Sequence, residues 1–242
     1  MPTYRDEAIA IRSIRLGEAD RIVTFLTPEH GKVRAVAKGV RKTKSKIGAR
    51  VEPPSHVALM CWRGRELDVV SQAETLDAFR AVRDSLELFG SAIAMLEVAD
   101  QIALERTPMP ELFALTLNAL RTLERTRSPL VPGAYFLKLL VLEGVGPVTD
   151  VCVSCGEPGP LVAFDPGDGG FLCSSCRRGI PVAPEIVALV QAVLSGGLAR
   201  VLAESPANLA PGFDRLTIAA VEHHLERRLR TTRHLFEPEG QR

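Results

Sequence analysis

Cys152-Val-Ser-Cys155 and Cys173-Ser-Ser-Cys176 are the two halves of one stretch, separated by the seventeen residues 156–172. Two residues between cysteines make a tight turn, so both sulfurs face one point. Two such turns can supply a tetrahedron of thiolates with metal–sulfur distances near 2.3 Å. The spacing is that of a structural Zn²⁺ site. Gly156, Pro158 and Gly159 follow the first pair, and Gly179 and Pro181 the second, which suits turns on opposed hairpins. Two disulfides or a redox dithiol would use the same residues. Against disulfides, Met1-Pro-Thr-Tyr-Arg-Asp-Glu7 lacks the apolar core of a secretory signal, and paired cysteines in a reducing compartment more often bind metal. Against a redox role, a single pair beside a βαβ pattern would be expected. The reading is therefore one structural Zn²⁺ on Cys152, Cys155, Cys173 and Cys176. Four sulfurs leave no open position for substrate. Arg177 and Arg178 adjoin the last ligand, placed either to offset its charge or simply to face solvent.

Upstream, the pattern has period 2. Residues 7–14 and 21–27 read as strands, and Pro28-Glu-His-Gly31 as a turn. In Lys32-Val-Arg-Ala-Val-Ala-Lys38 the cations and the small apolar residues alternate between faces. Residues 57–62 and 67–72 form two more strands joined by Arg63-Gly-Arg-Glu66. Five short strands in residues 1–78 suggest a closed OB-fold barrel, an architecture that commonly holds oligonucleotides.

Charge is unevenly spread. Residues 1–78 carry 14 Lys and Arg against 10 Asp and Glu, while the remainder carries 16 against 19. Residues 32–50 hold Lys32, Arg34, Lys38, Arg41, Lys42, Lys44, Lys46 and Arg50 with no intervening acid. Such a segment favours polyanions, because each neutralised phosphate releases a counterion. A plain solvated loop is the competing reading. Phe25 and Trp62 are expected to be packing residues, so binding would run through phosphates and be largely sequence-blind.

From residue 77 the period becomes 3.6. One helix is expected from Phe79 to Leu104, a second across Leu112 to Leu123 and a third from Tyr135 to Leu142. A fourth starts at Pro184, and a last runs from Phe213 to Leu229. The fold class is thus α+β and multidomain. It divides into an OB-fold at 1–78, a helical domain at 79–148 and 182–236, inserted zinc hairpins at 149–181 and a tail at 237–242. Cys61 reads as a buried strand residue, and Asp165 and Asp168 as turn residues. Adjacent His223 and His224 diverge on a helix and do not share a metal. There is no Walker lysine motif, nucleophile elbow or His-Glu-x-x-His, so no enzyme is expected. Composition, at 46% apolar and 24% charged, is that of a soluble globular chain without a membrane span.

The order of parts resembles the RecO family of recombination mediators. Glu7-Ala-Ile-Ala-Ile-Arg-Ser-Ile-Arg-Leu-Gly-Glu-Ala-Asp-Arg-Ile-Val-Thr-Phe-Leu-Thr-Pro-Glu-His-Gly-Lys32 looks like the family's opening strands, and Ala37-Lys-Gly-Val-Arg-Lys42 like its basic loop. Leu142-Glu-Gly-Val-Gly-Pro147, leading into Cys152, looks like its junction to the zinc site, and Leu229-Arg-Thr-Thr-Arg-His-Leu-Phe236 like its last element. The resemblance implies an OB-fold that binds single- and double-stranded DNA, anneals complementary strands and helps load the RecA recombinase onto strands coated with single-strand-binding protein. It implies RecR and the acidic tail of the coating protein as partners, and a cytoplasmic, nucleoid-associated place in a bacterium. Phosphate contact is the role it carries to Lys32, Arg34, Lys38, Arg41, Lys42 and Lys44. Lys138, on an apolar helix, is the candidate cation for the acidic tail, or else a charge snorkelling to solvent. A zinc-scaffolded adaptor without DNA contact is the alternative.

Overall fold

The computed structural model describes residues 2–42, 45 and 47–231. It divides into two compact units, Met1–Arg125 and Thr126–Arg242.

In the first unit, β1 (Thr3–Leu16), β2 (Asp20–Thr27), β3 (Gly31–Ala37), β4 (Ser55–Trp62) and β5 (Asp68–Asp77) close a barrel in the order β1-β2-β3-β5-β4. This is the expected five-stranded, OB-like barrel. All pairings are antiparallel except β3 with β5. Alternation along each strand fills the interior. Phe25 is fully buried there, with Ala8, Ala10, Ala35 and Ala37 leaving room for its ring. Small residues opposite a large one are how a narrow barrel fills.

Helices α1 (Arg80–Arg83), α2 (Leu86–Ile102) and α3 (Pro110–Thr126) follow. The sequence reads α1 and α2 as one helix, but the structure breaks it at Asp84 and Ser85. Ser85 has extended backbone and its hydroxyl accepts from the Leu88 amide at 3.3 Å, so it caps a new N-terminus. Helix α2 packs on β1. The connection after it reaches the start of β3, where the Lys32 amide donates to Leu104 O and the Arg106 amide to Lys32 O. Gly31 allows that approach. It has φ +63°, and a Cβ there would lie 1.8 Å from the Thr107 carbonyl oxygen. Gly31→Ala is expected to cost at least about 3 kcal/mol by backbone strain and steric overlap, read as a lower midpoint in urea.

In the second unit, α4 (Val131–Leu142) leads to a small sheet of β6 (Leu161–Asp165), β7 (Gly170–Cys173) and β8 (Ile180–Pro181) in the order β7-β6-β8. Then come α5 (Pro184–Leu194), α6 (Leu198–Glu204) and α7 (Ala210–His224). The apolar spacing does not announce the short helix α6, and the last helix stops earlier than that spacing implies. Glu226 takes φ +50°, turning the chain so that Leu229 is buried off the helix, with its amide on Glu222 Oε1 at 2.8 Å. Helix α4 packs against α5 and α7. Where α4 meets α7, Gly133 faces the Phe213 ring and the carboxylate of Asp214.

Asp214 is 4% exposed and its Oδ1 has no hydrogen-bond partner among the described residues. Burial pushes its carboxyl up to about 7. An unfolded aspartate titrates near 3.9, so between those values only the folded chain keeps the proton. Stability from this group is full below about 3.9 and is lost as pH rises through 7. Asp214→Asn is therefore expected to stabilise the protein by about 2–4 kcal/mol at pH 8 and by little at pH 4. Denaturant titrations at the two pH values check this. Equal gains at both would contradict it.

Candidate metal centre and nucleic-acid face

The first cysteine turn lies in the loop before β6, not on a hairpin of its own. The Gly156 amide donates to Cys152 O at 2.8 Å, and the Cys152 amide to Glu157 O at 2.7 Å. Gly156 takes φ +79°, a left-handed conformation that favours glycine. The Val153 amide donates to Phe171 O at 2.9 Å, so β7 holds the loop in place. Cys173 ends β7, and the second turn follows it. The edge-on pair Phe164 and Phe171, 5.4 Å apart, packs beneath.

The four sulfurs lie within 4.8 Å of one another. Cys155 Sγ and Cys173 Sγ are 3.7 Å apart. A tetrahedron with 2.3 Å metal–sulfur bonds has edges of about 3.8 Å, so the donor set fits a tetrahedral ion. A disulfide needs sulfurs near 2.05 Å, and all four cysteines are free. Cys152 and Cys173 are buried, whereas Cys155 is exposed. The backbone at Cys173, with the amides of Cys155 and Ser154, outweighs burial and holds the Cys152 thiol down at about 6. For Cys155 the Glu157 amide pulls downward, but the sulfurs of Cys152, Cys176 and Cys173 prevail and push it up to about 12. Four thiolates side by side therefore need a cation between them. Soft sulfur donors in this geometry suit zinc or an iron–sulfur centre.

Arg178 is not a free counter-charge. It pairs with Asp165 at 3.5 Å and also with Asp168. Asp165 in turn accepts from the amides of Gly167 and Asp168, as a turn residue does. His224 faces Glu143 at 3.7 Å.

The cations of residues 32–50 do not behave alike. Lys32 donates to Asp100 O at 2.6 Å and lies 3.6 Å from the Asp100 carboxylate, where Arg12 also points. Arg41 spans to Gly17 O and Glu18 O at 3.2 and 2.7 Å. The Gly39 amide donates to Asp20 Oδ1 at 2.7 Å, so the root of the loop is tied to the β1–β2 turn. Arg50 donates to Ala73 O at 3.0 Å. Arg34, Lys38 and Lys42 are exposed and make no side-chain ion pair among the described residues. Lys44 and Lys46 lie outside the described residues. Lys138 on α4 is half-buried.

The expectation for Trp62 is overturned. Phe25 is the core residue its strand position implies, but Trp62 is 44% exposed. Its neighbour Cys61 is fully buried in the barrel, so alternation turns Trp62 outward. At the same end of the barrel Asp68 is fully buried yet ionised. Burial raises its carboxyl, but donors from Tyr4, Gly64 and Arg106 outweigh this and hold it below the usual range. The Tyr4 ring lies 4.3 Å from the His30 ring, with Arg63 over it at 5.4 Å.

No described helix is long and apolar enough to cross a membrane. Two family models match the chain, recombination protein O N terminal over residues 1–79 and recombination protein O C terminal over residues 83–233. The first takes in the barrel with its outward cations and the second the helices with the four-cysteine cluster, and the chain therefore belongs to the RecO family of recombination mediators in DNA repair.

Proposed function

We infer that the chain is a non-enzymatic mediator that holds DNA strands by their phosphates on the barrel. The reading is supported most by Arg34, Lys38 and Lys42, exposed on β3 and the loop after it without carboxylate partners among the described residues. A cationic face of this kind can hold two polyanions together and screen their repulsion, while base pairing supplies selectivity. It serves single and double strands, and annealing needs no bond chemistry. Lys44 and Lys46, close by in sequence, would add their charge to the same attraction. Lys32, Arg41 and Arg50 hold the loop and its surroundings in position, with their charge as a secondary attraction.

The ion in the cysteine cluster is Zn²⁺ in this reading. Cys152, Cys155, Cys173 and Cys176 hold it, and its contribution is to the folding of the second unit. RecR and the acidic tail of single-strand-binding protein are the proposed protein partners, with Lys138 as the cation offered to the tail. RecA is engaged indirectly, through the strand that is cleared for it.

Annealing of complementary oligonucleotides, measured with and without the coating protein, tests the reading. Acceleration by the purified chain in both settings is expected, without strand cleavage. No acceleration and no retained DNA at modest salt would reject it.

A further inference from the structure

Trp62 stands on the barrel face that carries Arg34, yet the phosphate reading gives its ring no role. It closes β4, and the register places it in a row across the outside of the barrel. Val36 on β3 pairs with Val69 on β5, Val69 with Trp62, and Trp62 with Thr3 on β1. Strands sit about 4.8 Å apart, so the indole is roughly 10 Å from the β3 row. Arg34 lies two residues before Val36 on the same outward face, and Lys38 is exposed in the turn that directly follows β3. On the other side Arg5 is exposed on β1, opposite Met60 and diagonal to Trp62. Diagonal neighbours on one face are within reach of long side chains. The acids of this face, Glu7 and Glu74, both pair opposite Ala58, four residues away along β4. Along the strands the Trp62 end is therefore apolar with a cationic border, and the connection to β5 beyond it adds exposed Arg63, Arg65 and Glu66.

The rings at this end of the barrel are not equivalent. Tyr4 is half-buried and its faces are taken by His30 and Arg63. Trp62 has no ring contact among the described residues. An exposed indole bordered by arginine and lysine is chemically suited to an unpaired nucleobase, since every base has a π-face and its phosphates reach the cations. A duplex offers no free base face along its length, so it would gain nothing from the ring.

We propose that Trp62 is a base-stacking platform for single-stranded nucleic acid, with the flanking phosphates on Arg5, Arg34 and Lys38. This rests on the DNA-binding reading above and adds to it a preference for unpaired strands.

Trp62 is the only tryptophan in the chain, so its emission reports this site alone. The full chain is titrated with a labelled oligodeoxythymidine and with a labelled duplex of equal length. Label anisotropy measures binding and tryptophan emission measures stacking. Saturable quenching by the single strand, with little by the duplex, is expected. Trp62→Ala should weaken single-strand binding about 5- to 100-fold, the loss of one stacked base, and leave duplex affinity within about twofold. Trp62→Phe should restore part of it. Single-strand binding with unchanged emission, or equal losses on both DNAs, would overturn the stacking role and leave the phosphate reading intact. Absence of binding to either DNA would overturn both.

Discussion

Cys152→Ser is expected to abolish metal binding and to unfold much of the second unit. Cys152 is buried at the centre of the first turn, where its carbonyl accepts from the Gly156 amide and its own amide donates to Glu157 O. A structural Zn²⁺ on four thiolates contributes about 10–16 kcal/mol in small finger peptides at neutral pH. Whole domains are stable by only about 5–15 kcal/mol. Serine is a poor ligand for a soft site, so the remaining three sulfurs would be left as crowded thiols. Metal analysis should fall from one Zn²⁺ per chain towards none. The variant should be aggregated or melt at least about 10 °C lower, as a destabilisation of a few kcal/mol produces. Cys176→Ser, at a half-exposed position, should lose metal to the same degree. All four cysteines lie in Thr126–Arg242, so a strong chelator should move one part of the melting curve more than the other. Full stoichiometry with an unchanged melt in either variant would contradict the site.

The triple variant Arg34→Glu, Lys38→Glu and Lys42→Glu is expected to weaken DNA binding about 100- to 1,000-fold near 0.1 M salt. Each cation removed from a phosphate takes about 0.7–0.9 from the slope of log K against log salt, and therefore nearly a decade of affinity at that concentration. The slope itself should fall by about 2–3. These three side chains are exposed, so melting should be almost unchanged. Lys32→Gln is the opposing control. Its amino group is spent on Asp100, so the variant should lose stability and keep DNA affinity within about threefold. An unchanged salt slope in the triple variant would remove this face from the interface.

The barrel was legible because strand alternation is local. Val33, Ala35 and Ala37 face inward and Arg34 outward simply by the pleat of β3. The cysteine spacing was equally legible, since two residues between ligands dictate the turn. Trp62 was not, for a physical reason. Val57-Ala-Leu-Met-Cys-Trp62 is apolar at every position, so the sequence holds no contrast from which to choose its inner face. Closure of the barrel chose Val57, Leu59 and Cys61. The break before α2 was hidden in the same way, because Ser85 interrupts an apolar period without disturbing it.

By itself, the sequence determined which residues could be ligands, which strands would form the barrel and where positive charge would concentrate. These depend on neighbours a few positions apart. Only the tertiary structure decided that four sulfurs meet within one coordination radius, that Lys32 is spent on an aspartate sixty-eight residues away, and that Arg34 and Trp62 share one outer face. Such outcomes depend on which distant groups come to lie beside a donor or a ring, and that is set by the packing of the whole chain.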